Sequence, residues 1–326
     1  MFEGRKYDDE TAAWRRFWSN RARGSEHRYR EPAAAAAIGD HWQAYFDEAL
    51  AGRDVVGLID LACGEGEVLQ YANARAEQMP NLRMQAFCAD IAHDAVGLAA
   101  GAGRAEPVVT DCARLPFGDG AFTDAVSQYG LEYAGPDAFA EAGRIVGEGG
   151  QFHALVHCEH GAVAAACSDV ARLLGGVLGA ALFDRLSACC KALAPGDGLA
   201  VDPAAVEPAV DALREALQRV AEAVAAAADG PARVHIARLI GDCQRLVGRV
   251  TAYAPADIEA WIEGQRADVE AFHHRMTSML RVAQSDADIR EIAAVLGGQG
   301  LAVAPVAELA APDGDAPLAW VLHASR

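Results

Sequence analysis

Val55-Val56-Gly57-Leu58-Ile59-Asp60-Leu61-Ala62-Cys63-Gly64-Glu65-Gly66-Glu67-Val68 constrains this chain more than any other stretch. A short apolar run ends in an acidic residue, passes through a glycine-rich turn, and continues with helical spacing. The run Val55 to Leu61 has the length and composition of a strand buried on both faces, as in a parallel sheet. Gly64 and Gly66 allow a sharp turn and a close approach of backbone to a ligand. The free N–H groups of the next helix would point at the same place. A strand, a glycine turn and a helix N-terminus in this order make a nucleotide-type site.

The pattern G-x-G-x-x-G/A of dinucleotide sites does not fit. Counted from Gly64 its third position is Leu69, and counted from Ala62 it is Glu67. The pattern that fits is acidic-x-small-x-Gly-x-Gly, with Asp60 just ahead of the turn. Downstream, strand and helix patterns alternate. Strands are expected over 82–89, closed by Asp90, over 107–110, closed by Asp111, and over 122–128 and 151–157. Helices are expected over 65–75, 93–100 and 136–146. Such alternation implies a parallel, doubly wound sheet with ligands at the carboxyl ends of its strands.

Asp60-Leu61-Ala62-Cys63-Gly64-Glu65-Gly66 resembles the first motif of class I S-adenosylmethionine-dependent methyltransferases, with Ala62 in place of the usual first glycine. Leu115-Pro116-Phe117-x-Asp119-Gly120-x-Phe122-x-Asp124 is similar to a run of the UbiE-like, methyltransferase type 11 branch, with Thr123 as an extra residue between Phe122 and Asp124. Glu141-Ala142-x-Arg144-Ile145-Val146-x-x-Gly149-Gly150 resembles the turn that leads that branch into its fifth strand. The resemblance covers about residues 53–160. It implies a Rossmann-like, mostly parallel seven-stranded α/β sheet and S-adenosyl-L-methionine as cofactor. The implied cofactor residues are Asp60, Ala62, Cys63, Gly64 and Gly66 at the first turn, Asp90 and Ile91 for the ribose, Asp111 and Cys112 for the adenine, and Gln128 at the end of the fourth strand.

Residues 1–52 read as an N-terminal helical cap, 53–160 as the cofactor-binding core, 161–288 as a helical insertion, and 289–326 as strands completing the sheet. Trp14, Trp18, Trp42 and Phe46 are spaced as packing anchors of the cap. The six arginines from Arg15 to Arg30 read as a solvated face. Three amphipathic stripes in the insertion, beginning at Val206, Ile236 and Ile258, suggest a bundle that is either a lid over the pocket or a homodimer surface.

Catalytic candidates cluster at the ends of strands four and five. His157 is the candidate base because its ordinary pKa suits neutral pH, with Tyr129 and Glu132 nearby. A structural histidine on the sheet rim is the other reading of His157. His157-x-x-His160 is too loose a pair for a metal site, and none is expected. The expected reaction is methyl transfer to an O or N atom of a small molecule. A methyltransferase-like binding or scaffold protein without turnover is the alternative.

At 326 residues, 52% hydrophobic and 23% charged, the chain can bury a large core. Its net charge of −18 argues against a nucleic-acid partner. The eight cysteines form no C-x-x-C pair and read as reduced, buried thiols. With no strongly apolar run of 18 residues and no leader pattern at the start, a cytoplasmic protein without membrane partners is expected.

Overall fold

The strand that precedes the glycine turn runs where its apolar residues predict. The computed structural model describes residues 3–23, 32–195, 200–312, 314 and 316–326. Helices α1 (Glu3–Ala22) and α2 (Pro32–Ala49) precede β1 (Val55–Leu61). Then follow α3 (Glu67–Ala76), β2 (Arg83–Asp90), α4 (His93–Gly103), β3 (Glu106–Val109), β4 (Phe122–Gln128), α5 (Pro136–Ile145) and β5 (Val146–Val156). The remaining elements are α6 (Ala162–Gly179), α7 (Leu182–Leu193), α8 (Pro203–Ala226), α9 (Pro231–Gly248), α10 (Pro255–Val282), α11 (Asp286–Gly298), β6 (Ala302–Val303), β7 (Ala307–Ala310) and β8 (Pro317–Ser325).

The sheet order is β3-β2-β1-β4-β5-β8-β6, with β7 also paired to β8. Strands β1 to β5 are parallel, and β8 enters antiparallel beside β5. This is the Rossmann-like methyltransferase arrangement, α/β and mostly parallel. Among the strands that complete the sheet, β6 and β7 are two short ones, so the sheet has eight strands rather than seven. Pro305 lies in the break between β6 and β7. Without an N–H it cannot continue a ladder, and β6 and β7 pair with different ends of β8. The other differences are at boundaries, the largest being β5, which begins at Val146 through a register shift opposite Phe122 and Asp124.

The chain divides into two compact units, Met1–Ala165 with Met279–Arg326, and Ala166–Ser278. The second unit is narrower at both ends than the insertion read as 161–288, because the chain passes between units inside α6 and again inside α10. In the first unit, apolar residues of β1, β4 and β5 pack against α5 and α11 on one side, through Phe139, Phe152, Ile292 and Leu296. On the other side they pack against α2, α3 and α4, through Trp42, Phe46, Leu69 and Val96.

In the second unit the stripe residues Leu213, Val220, Ile236, Cys243, Ile258 and Val269 are buried, together with Leu174, Val177, Phe183 and Leu186 of α6 and α7. Those two helices are missing from the sequence reading. Contrary to the expectation of no such run, Ala162–Leu193 is long and apolar enough to cross a membrane by length and composition alone. Half of its most apolar window is buried within the protein, and it supplies much of the core of the helical unit. All eight cysteines are buried, and none is in a disulfide. Of the N-terminal arginines, Arg21 pairs with Glu65 in the glycine turn at 2.8 Å, while Arg28 and Arg30 lie outside the described residues.

Candidate cofactor and acceptor cleft

Because β4 returns beside β1 after β2 and β3 have been laid down on its other side, the chain switches direction between β1 and β4. In such sheets ligands bind at the carboxyl ends of the strands at that point. A cleft opens there, lined by Trp14, Trp18, Ala62, Asp90, Ile91, Asp111, Cys112, Tyr129, Gly130, Tyr133 and Ala134. Each of β1 to β4 contributes the residues just at or beyond its end. A wider, open hollow along α8, lined by Val206, Glu207, Val210 and Arg214, holds none of the expected site residues.

The glycine turn is built by backbone hydrogen bonds and one carboxylate. Gly66 N–H donates to Cys63 O at 2.9 Å, and Cys63 N–H to Ala89 O at 3.0 Å. Asp90 takes Gly64 N–H on Oδ2 at 3.1 Å and Ala92 N–H on Oδ1 at 2.9 Å. Asp90 therefore holds two loops together and still has lone pairs facing the cleft. Burial raises its pKa, against the backbone hydrogen bonds that lower it.

Asp60 is 1% exposed, and neither of its oxygens has a hydrogen-bond partner among the described residues. Its pKa is pushed well up, first by burial and then by Cys88, Asp90 and Glu67. An orphaned buried carboxylate is costly unless a donor or cation completes it. The ammonium of a methionine moiety has the chemistry to do so, and the turn therefore fits the cofactor.

Gly66 does a different job from the one its motif position suggests. It has φ 75°, and a Cβ there would lie 2.9 Å from the Cα of Ala99 in α4. The glycine lets α3 and α4 approach. A side chain there would meet α4. Gly64, at φ 54°, is covered by Trp18, whose ring would be 2.8 Å from an added Cβ. Ala62, which replaces a glycine, has φ 52°, and Tyr129 across the cleft has φ 54°. Such values are uncommon for residues with a Cβ. The methyl of Ala62 is accommodated because its neighbour is Gly130, where a Cβ would come within 2.6 Å of it.

Asp111 accepts Ala113 N–H at 2.9 Å, shaping the loop after β3. The Cys112 thiol beside it has its pKa raised by burial and receives a backbone hydrogen bond from Ala62. Gln128 does not line the cleft. Its Oε1 accepts from Trp42 Nε1 at 2.6 Å, and its Nε2 donates to Glu67 Oε2 at 3.1 Å, so it braces the start of α3. Cys63, Gly64, Gly66 and Asp60 lie behind the lining, as the frame of the turn. The later motifs are also structural. Arg144 donates to Phe117 O and Asp119 Oδ1, each at 2.8 Å, and Glu141 accepts Leu115 N–H at 2.8 Å. Hydrogen bonds from Arg144 hold the pKa of Glu141 below its usual range.

At the end of β5, Glu132 and His157 are both buried and form one unit. Glu132 Oε1 accepts His157 N–H at 3.0 Å and lies 2.5 Å from His157 Nδ1. The carboxylate favours the tautomer with hydrogen on Nδ1, which leaves Nε2 as the basic atom. The rings of Tyr129 and Tyr133, at 4.6 Å and 5.9 Å, stand around the imidazole, and both line the cleft. Tyr129 Oη donates to Leu318 O at 2.9 Å, which fixes that ring. Trp14 meets Tyr133 edge-on at 5.1 Å, extending an aromatic wall from α1. His160 turns away to Glu308, so the two histidines take separate partners.

Comparison with known proteins agrees with this geometry. Residues 59–154 match the family model described as Methyltransferase domain. No curated protein matches. Similar solved structures include a Bacillus halodurans C-125 chain titled as a methyltransferase (19% identity, TM-score 0.31, covering 36% of this chain and 51% of that one). Another is the complex of the Haloferax volcanii Trm112 methyltransferase activator with its partner (24%, TM-score 0.34, 46% and 60%). A third is geranyl diphosphate C-methyltransferase from Streptomyces coelicolor A3(2), in complex with Mg2+, geranyl diphosphate and S-adenosyl-L-homocysteine (16%, TM-score 0.34, 46% and 65%). The matches thus span about half to two thirds of those chains. Residues 59–154 therefore match a methyltransferase domain, on a Rossmann-like, mostly parallel α/β sheet.

Proposed function

We propose that the protein transfers a methyl group from S-adenosylmethionine to an O or N atom of a neutral small molecule bound against the aromatic wall. The observation that carries this reading is the cleft itself. Asp90 and Asp111 line one part of it, and Trp14, Trp18, Tyr129 and Tyr133 line the rest. The cofactor supplies an electrophilic methyl on a sulfonium. The glycine turn, with the carboxylate of Asp60 behind it, would receive its methionine end, Asp90 and Ile91 its ribose, and Asp111 and Cys112 its adenine. Aromatic faces suit both a cationic sulfonium and a flat or apolar acceptor. No described lining residue is Lys or Arg, which disfavours an anionic acceptor such as a diphosphate.

Methyl transfer is an in-line displacement, so positioning supplies much of the rate and a base serves acceptors that must lose a proton. His157 takes the base role in this reading. Glu132 orients it through Nδ1, and Tyr129 and Tyr133 shield it from water. Glu132→Gln would keep the shape of the pair and lose the charge.

Calorimetric titration with S-adenosylhomocysteine and with NADH comes first, followed by transfer of labelled methyl from S-adenosylmethionine to a panel of phenols, amines and carboxylic acids. Tighter binding of NADH would sink the cofactor reading. Cofactor binding with no transfer to any acceptor class would favour the scaffold alternative. A product formed at equal rate by Glu132→Gln would remove the base from the mechanism.

A further inference from the structure

Away from the cleft, the first unit buries a second cluster of titratable side chains between α2 and the strands β5 and β8. His153 of β5 is its centre and is 5% exposed. Its Nε2 lies 2.9 Å from Nε2 of His41 in α2, and its Nδ1 lies 3.3 Å from Nδ1 of His323 in β8. Tyr45, one turn along α2 from His41, stacks on His153 with centroids 4.1 Å apart and planes 14° apart. Trp42 packs edge-on against the same imidazole at 5.4 Å. The Trp42 indole N–H is the group that holds Gln128, which in turn holds Glu67 at the first turn of α3. Two contacts therefore act in series. The imidazole chain fastens α2 to the sheet, and the adjacent residue of α2 braces the cofactor turn.

The chain has a limited capacity for protons. Each N···N contact accommodates one hydrogen. Three neutral imidazoles carry three ring hydrogens, of which two fill the contacts and one sits on an outward nitrogen. A fourth hydrogen still fits, because both outward nitrogens can carry one. A fifth would set two N–H groups head to head, and that contact must open.

The charged and titratable neighbours do not offset a second positive charge. Tyr45 is a neutral phenol, its pKa raised first by burial. Asp124 of β4 already accepts from Arg53, Gln151 and the Thr123 hydroxyl, at 2.8, 2.8 and 2.7 Å. Among the described residues, Glu48 of α2 favours charge on His323, and burial outweighs it. Burial likewise disfavours charge on His41 and His153. As pH falls through the ordinary histidine range, an undocked α2 gains protons that the docked one resists, so the equilibrium moves toward undocking.

We propose that His41, His153 and His323 form a pH-sensitive latch on α2, and that opening it withdraws Trp42 from Gln128 and loosens the turn that binds the cofactor. The second half rests on the cofactor reading of the cleft, and the first half does not.

Two measurements on the full-length protein test the halves separately. Hydrogen exchange over residues 33–49, corrected for intrinsic rates, should show protection at about pH 7.5 that drops roughly tenfold or more at about pH 5.5. His41→Gln with His323→Gln replaces the titrating ends by amides and should remove most of that drop. His323→Gln alone, at the half-buried end, should shrink it if the double variant does not fold. Protection of α2 that is unchanged with pH, or that falls equally in both variants, overturns the latch.

Over the same pH span, S-adenosylhomocysteine affinity should weaken about tenfold in wild type and less than about threefold in the variants. Trp42→Phe, which deletes the donor to Gln128, should weaken affinity at about pH 7.5 and leave little further pH effect. An equal loss of affinity in the histidine variants would assign it to Asp60 or Asp90 and overturn the coupling. No binding at either pH would reject the cofactor reading, and the exchange data would still decide the latch.

Discussion

Replacing Asp90 separates two roles that the motif alone merges. Its carboxylate accepts Gly64 N–H at 3.1 Å and Ala92 N–H at 2.9 Å, in both cases away from solvent. Hydrogen bonds to a charged acceptor contribute about 1.5–3 kcal/mol each, and an orphaned buried donor costs about 1–3 kcal/mol. Asp90→Ala removes both bonds and orphans both donors. Because burial already disfavours the ionised carboxylate, part of that cost is offset, and the net loss should be about 3–5 kcal/mol. Asp90→Asn keeps one acceptor, turns its NH2 against the other N–H, and relieves the charge, so about 1–2 kcal/mol is expected.

For a unit of this size, 3–5 kcal/mol corresponds to a fall in Tm of roughly 10 °C. The assay is thermal unfolding of the ligand-free protein by circular dichroism, beside calorimetric titration with S-adenosylhomocysteine. Both variants should bind at least roughly tenfold more weakly, with Asp90→Ala also melting well below Asp90→Asn. A ligand-free Asp90→Ala protein that melts with wild type while losing affinity would refute the framing role and leave Asp90 a ligand contact alone.

Gly66→Val should cost roughly 2–4 kcal/mol without any cofactor present, from left-handed backbone strain and the push against Ala99, and urea unfolding of the ligand-free protein checks it. Gly130→Ala should destabilise because its Cβ would meet both the methyl and the carbonyl oxygen of Ala62, and Ala62→Gly, which removes only the methyl, should restore part of the loss, with a coupling of about 1 kcal/mol in a double-mutant cycle. His41, His153 and His323 have pKa values lowered by burial, so their neutral forms hold full stability above about pH 6.5 and lose it as pH falls and the unfolded state protonates, by at most about 4 kcal/mol per pH unit for three groups. Asp60 and Asp90, with raised values, act in the opposite sense, so removing the histidines should flatten or reverse the acid slope of urea unfolding.

What was legible in the sequence was local. The apolar run of β1, the acidic residues at the ends of β1 and β2 and just beyond β3, and the glycine turn all follow from spacings of a few residues, and the structure realises them. The amphipathic stripes of α8, α9 and α10 were likewise visible as periodicity, and they form the core of the helical unit. The break between β6 and β7 had a local signal in Pro305. Helix α7 had a comparable signal, since Leu182, Phe183, Leu186, Cys189 and Cys190 recur at helical spacing and are buried, and that stripe was missed.

The sequence by itself determined the order of strands and helices from β1 to β5, and with it the place where a cofactor can bind, because strand ends and turns are set by near neighbours. Only the tertiary structure decided which site residues face that cleft and which frame it. Gly66 serves α4 because Ala99 packs there, and Gln128 serves Trp42 and Glu67. His153 meets His41 and His323, 112 and 170 residues away in the chain. Such partners are chosen by the packing of α2 on the sheet, and no spacing within either segment encodes them.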